Sequence, residues 1–280
     1  MGATADSPLG VFDSGIGGLT VLAALRRRLP EEAVLYLGDT ARVPYGTKSG
    51  RVVTRYAANN ARFLAARGIK LLVVACNTAS AVALPELEQQ LAVPVIGVIA
   101  PGARRALARS RGRRIGVIGT EGTIASGAYE RALRGLAPAV VVRSRACPLF
   151  VPLAEEGWGD HAVAVEVARS YLAGWVAAES LDCLILGCTH YPLLVAAIRR
   201  AVGDEVALVD SAGAAAEAVA ERLAAAGLVR AAGAGPPQQR FFVTDVPERF
   251  AQVGARFLGE PLQRVQQVDL EPGRVEGQAE

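Results

Sequence analysis

The apolar positions of this chain fall into short continuous runs separated by amphipathic stretches, the pattern of strands covered on both faces by helices. Runs at 8–12, 33–37, 69–75 and 93–99 alternate with helix-period stretches that end at 29 or span 49–67 and 79–91. This β-α-β-α-β-α-β order predicts a parallel sheet. The last strand closes on Pro101-Gly102, and the pattern then restarts. A helix is expected over 103–108, strands over 114–118, 140–146 and 183–187, a loop or short helix over 148–156, and a long helix over 161–179. Helices at 192–202, 211–226 and 248–258 and strands at 207–209, 240–244 and 265–270 complete the reading. The tract 230–239, with Gly233, Gly235, Pro236 and Pro237, reads as a surface loop, and the polar residues 271–280 are expected to fray.

Two runs are distinguished by the residues at their C-terminal ends. Leu71-Leu72-Val73-Val74-Ala75 empties into Cys76-Asn77-Thr78-Ala79-Ser80, and Leu184-Ile185-Leu186-Gly187 into Cys188-Thr189-His190-Tyr191-Pro192. The small hydroxyl and amide residues after each cysteine favour turns and helix starts, so both thiols are expected at strand C-terminal ends, where open parallel sheets bind ligands. A second correspondence supports the first. The turn Asp13-Ser14-Gly15-Ile16-Gly17-Gly18 precedes Cys76 by 63 positions, and the turn beginning at Gly119 precedes Cys188 by 69. The fold class is therefore expected to be α/β, with two pseudo-symmetric domains, each a mostly parallel sheet flanked by helices, and an active site in the cleft between them.

Composition sharpens this in a few respects. The 280 residues suit two domains of roughly 100–150 residues each. The net charge of +3 reflects 30 basic against 27 acidic residues, clustered at 26–28, 104–105 and 109–114 without interleaved aromatics, so no nucleic-acid partner is expected. The four cysteines form neither C-x-x-C pairs nor a disulfide framework, which points to a reducing cytoplasm. No signal segment or long apolar span is read, and the protein is expected to be neither exported nor membrane-bound. The glycine turn after the first strand lacks the G-x-G-x-x-G spacing of a dinucleotide loop, and no lysine sits in a Schiff-base setting, so no cofactor is expected. Cys76, Cys188 and His190 fall one ligand short of a structural metal site, and no metal is expected.

Two opposed thiols across one cleft suit a reaction that removes a proton from one face of a carbon and returns one to the other. Asp13, at a strand end beside a glycine turn, is placed to accept a proton, although it also fits a helix N-cap. His190 lies two residues beyond a thiol, a usual arrangement for activating one. Asn77, Thr78 and Thr189 are either cap residues or, through their N–H groups, carboxylate binders. Cys147 and Cys183 read as inert apolar residues whose loss should be tolerated.

The blocks Val11-Phe12-Asp13-Ser14-Gly15-Ile16-Gly17-Gly18-Leu19, Gly38-Asp39-Thr40-Ala41-Arg42-Val43-Pro44-Tyr45-Gly46, Ala75-Cys76-Asn77-Thr78-Ala79-Ser80 and Gly187-Cys188-Thr189-His190-Tyr191-Pro192 resemble, in order, the signature blocks of the glutamate racemases of the aspartate/glutamate racemase superfamily. The resemblance runs from about residue 9 to about residue 270. It implies cofactor-independent interconversion of L- and D-glutamate, supplying D-glutamate for peptidoglycan, by an enzyme that is commonly a homodimer. It further implies that Cys76 takes the α-proton from the D-enantiomer and Cys188 from the L-enantiomer, with Asp13 assisting Cys76 and His190 assisting Cys188. Ser14, Tyr45, Gly46, Asn77, Thr78 and Thr189 match substrate-holding positions, as do Asp13 and His190. Glu155 corresponds to an acidic position near the site, with solvation on a helix surface as its alternative. Residues 1–100 and 211–280 are then the first domain and 101–210 the second. The rival readings are a racemase for another amino acid such as aspartate, a Cys188–His190 thiol hydrolase, and a non-catalytic anion-binding module.

Overall fold

A computed structural model of the chain describes residues 3–270; the polar stretch expected to fray over 271–280 lies outside the described residues. The strands are β1 (Leu9–Asp13), β2 (Val34–Gly38), β3 (Leu71–Val74), β4 (Val95–Gly97), β5 (Arg114–Gly119), β6 (Val141–Ala146), β7 (Cys183–Gly187), β8 (Ala207–Asp210), β9 (Gln239–Val243) and β10 (Val265–Gln267). They form two sheets, in the orders β10-β9-β2-β1-β3-β4 and β6-β5-β7-β8, and every neighbouring pair is parallel. Every residue of β1, β2, β3 and β7 is buried, which is why these strands read as unbroken apolar runs rather than alternating ones.

The order β2-β1-β3-β4 in the first sheet matches β6-β5-β7-β8 in the second. In each, the chain steps from the central strand to one side and then crosses to the other, creating a switch point between β1 and β3 and another between β5 and β7. Phe12 pairs with Val74 and Gly119 with Gly187. Two residues on from the first pair come Ser14 and Cys76; one residue on from the second come Thr120 and Cys188. Both thiols thus emerge at switch points.

Some local predictions need correction: the strand expected over 265–270 stops at Gln267, and the helix expected from 192 begins at Val195. The single helix expected over 79–91 is two helices, Asn77–Val82 and Leu84–Gln90. Pro85 cannot donate to the preceding turn, so it occupies the start of the second helix instead. The first helix also begins two residues earlier than expected, with Cys76 as its N-cap. The strand expected to run to 99 stops at Gly97, and Pro101-Gly102 lies in the first turn of a helix, Ile99–Arg109, where a missing N–H costs no hydrogen bond.

After β8 the chain returns to the first sheet: β9 pairs with β2, and β10 with β9. The helix Ser211–Ala226, capped by the Asp210 carboxylate on the Gly213 N–H at 2.8 Å, packs on both Leu19–Arg28 and Ile99–Arg109. One apolar core runs from Leu22 and Tyr36 of the first half through Ala215 and Leu223 of that helix to Leu184 and Ile198 of the second half. No helix among the described residues is long and apolar enough to cross a membrane.

At the end of the first sheet away from the cysteines, Lys70 is fully buried. Its ammonium meets Glu32 Oε2 at 2.5 Å and donates to the carbonyls of Ala5 at 2.6 Å and Leu228 at 2.8 Å. Glu32 Oε1 in turn accepts the Arg230 N–H at 3.0 Å. Two carbonyls accept from the ammonium and the Glu32 carboxylate lies against it, so the buried charge is compensated. The cluster joins the start of β3, the end of the loop before β2, the N-terminal segment and the return segment. Lys70→Ala is expected to lower unfolding stability by about 3–5 kcal/mol, because Glu32 is left buried and uncompensated; urea unfolding of the purified variant measures it.

Candidate active site

Cys76 lies just beyond β3 and is 5% exposed. Its sulfur accepts the Ala79 N–H at 3.5 Å, as a helix-capping group, and its S–H faces Ser14 Oγ at 3.6 Å. Asp13 closes β1 and is buried; its Oδ2 accepts the Gly15 N–H at 2.9 Å, while Oδ1 has no hydrogen-bond partner among the described residues. Burial raises the Asp13 carboxyl above its ordinary range, against the opposing pull of His190 and of the N–H groups of Gly15, Gly18 and Ser14. Burial, and after it the Asp13 charge, push the Cys76 thiol up to about 12. At neutral pH Cys76 therefore carries its proton.

Cys188 follows β7 and is 6% exposed. His190 Nδ1 lies 3.8 Å from its sulfur, and His190 Nε2 lies 3.1 Å from Glu155 Oε1. Burial alone would lower the imidazole, but the hydrogen bonds to Cys188 and Glu155 outweigh it and lift His190 to about 10. The His190 hydrogen bond holds Glu155 below its usual range, and Arg249, 4.0 Å away, adds to this. Arg256 donates to the Glu155 carbonyl at 2.9 Å, and Phe257 meets the imidazole edge-on at 5.2 Å between ring centres. His190 is thus an imidazolium at neutral pH, oriented by a carboxylate and set beside a thiol.

The two cysteine neighbourhoods adjoin: Gly17, in the turn after Asp13, lies against Thr189 and His190. The Cys188 charge is among those that raise Cys76, and Asp13 and His190 act on each other electrostatically. The halves meet through glycine backbone. A Cβ on Gly17 would overlap Thr189 Oγ1 and His190 Nδ1, and one on Gly46 would lie 2.7 Å from Thr120 Cβ. Thr20 Oγ1 bonds the Thr189 carbonyl at 3.0 Å, tying the two sides beside Gly17.

The remaining expected residues surround this cleft. Thr78 and Thr189 are buried at its sides, and Thr78 Oγ1 lies 3.0 Å from Thr120 Oγ1 and 3.1 Å from Thr123 Oγ1. Asn77 is buried behind Cys76, with its Oδ1 accepting from Tyr129 at 2.7 Å. Tyr45 is held from within the first half: its hydroxyl donates to Asp39 and accepts from Asn60 Nδ2 at 3.1 Å, leaving the loop backbone at Tyr45-Gly46 to face Thr120. Glu155 bonds His190 rather than being merely solvated on a helix. Thr120, Thr123, Arg249 and Arg256 were not singled out from sequence. For Thr120 a signal existed: its turn occupies the place in the second half that Asp13–Gly18 holds in the first. Cys147 and Cys183 lie apart, fully buried, and burial pushes both up to about 12. Among the described residues no three His, Cys, Asp or Glu side chains are arranged to hold a metal ion.

Two parallel sheets of matching strand order, each with a cysteine at its switch point, define the class of two-domain α/β racemases. Residues 19–219 match the Asp/Glu/Hydantoin racemase family, and the chain belongs to that family. It is similar to the glutamate racemase of Geobacter metallireducens, 57% identical over 94% of this chain and 97% of that protein. Among solved structures it resembles glutamate racemase isoform RacE1 of Bacillus anthracis, with TM-score 0.90 and 41% identity over 94% of this chain and 98% of that one. It also resembles the glutamate racemase of Francisella tularensis in complex with D-glutamate, with TM-score 0.89 and 38% identity over 95% and 99% of the two chains.

Gly17→Ala is expected to displace Thr189 and His190 and to lower turnover by about 10²-fold, the scale at which small misplacements of reacting groups act; steady-state kinetics read it. A second expectation concerns pH. Because His190 is raised from 6.5 to about 10 on folding, its pairing stabilises the protein fully below pH 6.5 and is lost as pH rises toward 10. Thermal unfolding between pH 6.5 and 8.5 should show Tm falling with pH in the wild type and falling less steeply in Glu155→Gln.

Proposed function

We propose that this chain interconverts L- and D-glutamate without a cofactor, using Cys76 and Cys188 as acid and base on opposite faces of the α-carbon. What supports the reaction type is that two buried thiols emerge at separate switch points, in halves that meet at Gly17, and that each has a neighbouring proton-carrying group. What supports the substrate is the similarity, over nearly the whole chain, to proteins named glutamate racemase.

In the L-to-D direction the Cys188 thiolate removes the α-proton and the Cys76 thiol delivers its own proton to the opposite face, so the chain ends the turnover with Cys188 as thiol and Cys76 as thiolate. The reverse direction exchanges these roles. Asp13 serves Cys76 and His190 serves Cys188, each moving a proton or stabilising a charge at its sulfur. Glu155 orients His190. The substrate carboxylates and ammonium are held by Ser14, Asn77, Thr78, Thr189 and the backbone at Tyr45-Gly46, with Asp13 and His190 near the α-carbon. Residues 1–100 with 211–280, and 101–210, are the two domains that carry these groups. The product is D-glutamate for peptidoglycan, made in the cytoplasm by a homodimer.

Circular-dichroism assays of glutamate racemisation test this directly. Cys76→Ser and Cys188→Ser should each lower kcat/KM by about 10²–10⁴-fold, whereas Cys147→Ala and Cys183→Ala should stay close to wild type, and aspartate should turn over poorly beside glutamate. In deuterated water the two serine variants should differ in the enantiomer whose α-hydrogen they still exchange. Near wild-type racemisation by both serine variants would refute the two-thiol assignment.

A further inference from the structure

Tyr129 lies in the helix Ala128–Leu136, over the second sheet, and is 2% exposed. Its hydroxyl donates to Asn77 Oδ1 at 2.7 Å, across the junction between the two halves. Asn77 is the residue after Cys76 and is buried; its Nδ2 donates to Ser211 Oγ at 3.5 Å. Ser211, also buried, opens the helix after β8. The phenol, the amide and the hydroxyl therefore form a polar chain drawn from three segments. Buried polar groups of this kind hold a single arrangement when all are satisfied.

The ring has a second set of contacts. A Cβ on Gly187, the residue before Cys188, would lie 3.1 Å from Tyr129 Cε2, and one on Gly102 would lie 3.4 Å from Tyr129 Cε1 and from its hydroxyl. Tyr129 thus packs closely on the backbone at Gly187 and lies in van der Waals reach of Gly102. One face of its ring bears on the strand that delivers Cys188, while its hydroxyl bears on the residue beside Cys76. Cys188 is also close enough for its charge to act on the phenol.

We propose that Tyr129 is a positioning residue that couples the two thiol-bearing segments: its hydroxyl fixes the Asn77 amide beside Cys76 while its ring sets the end of the strand carrying Cys188. The coupling rests on the two-thiol reading of the site. With Oδ1 committed to Tyr129, the Asn77 amide cannot flip without losing a buried hydrogen bond. Nδ2 carries two protons and meets one acceptor among the described residues, which leaves a donor of fixed direction for a substrate carboxylate. Tyr129 itself touches no reacting atom and acts through Asn77.

Tyr129→Phe keeps the ring against Gly187 and Gly102 and deletes only the hydroxyl. It is expected to raise KM for glutamate about tenfold, the effect of one lost hydrogen bond in a buried site, with kcat changed less than threefold and Tm close to wild type. The decisive measurement is the pair with Asn77→Ala. If Tyr129 acts through the Asn77 amide, adding Tyr129→Phe to Asn77→Ala changes KM no further. A wild-type KM in Tyr129→Phe, or an undiminished tenfold effect in the Asn77→Ala background, overturns the proposal. Glutamate racemisation by the wild type and its loss in the cysteine variants are measured in the same assay, so a failure of the functional reading is seen separately from a failure here.

Discussion

Backbone contact across the cleft, made possible by glycine, is the constraint on which the site depends. Thr189 and His190 come so near Gly17 that no side chain fits between them, and Thr120 comes equally near Gly46. Ordinary side chains at these points would separate the halves by an amount comparable to a hydrogen-bond length. The separation matters because the groups concerned lie on different sheets. Asp13 and His190 influence each other only across this junction. The low polarity that raises Cys76 and Asp13 comes from the same closeness.

Within that dry space the two thiols are not equivalent. Cys76 has a helix N–H, a serine hydroxyl and a carboxyl that burial has raised, and it stands as a protonated acid. Cys188 has an imidazolium whose charge is sustained by Glu155. A reversible proton transfer between faces needs one partner able to accept and one able to donate at the same pH, and different surroundings separate those two roles.

The placement of the thiols was legible in the sequence because it depends on local signals: continuous apolar runs ending in Cys-Asn-Thr and Cys-Thr-His, and a glycine turn ahead of each. The matching strand orders of the two sheets account for why those signals recur at similar spacing. The misread positions were those where two local rules compete. Pro85 sits inside an apparently continuous helical stretch yet starts a second helix, and Pro101 looks like a strand's end yet lies in a first helical turn, where proline is accommodated. Thr120 went unnoticed because a threonine in a glycine-rich turn looks like a cap. It is indeed the cap of the helix Glu121–Ala125, and it also closes the hydroxyl triangle with Thr78 and Thr123. Partners distant in sequence, such as Glu155 with Arg249 and Arg256, leave no pattern that periodicity can reveal.

The asymmetry between the thiols originates outside the repeated plan. The two four-stranded units correspond strand for strand, and by themselves they would give each cysteine a turn, a hydroxyl and a helix start. The helix Pro247–Leu258 belongs to the segment that returns to the first sheet after the second is complete, and the second sheet has no equivalent of it. From that helix Arg249 and Arg256 reach Glu155, and Phe257 packs on the imidazole. The return segment thus extends one sheet through β9 and β10 and also braces the opposite half, at the histidine beside Cys188. A duplicated scaffold accounts for two facing thiols, while an unduplicated helix makes their surroundings different.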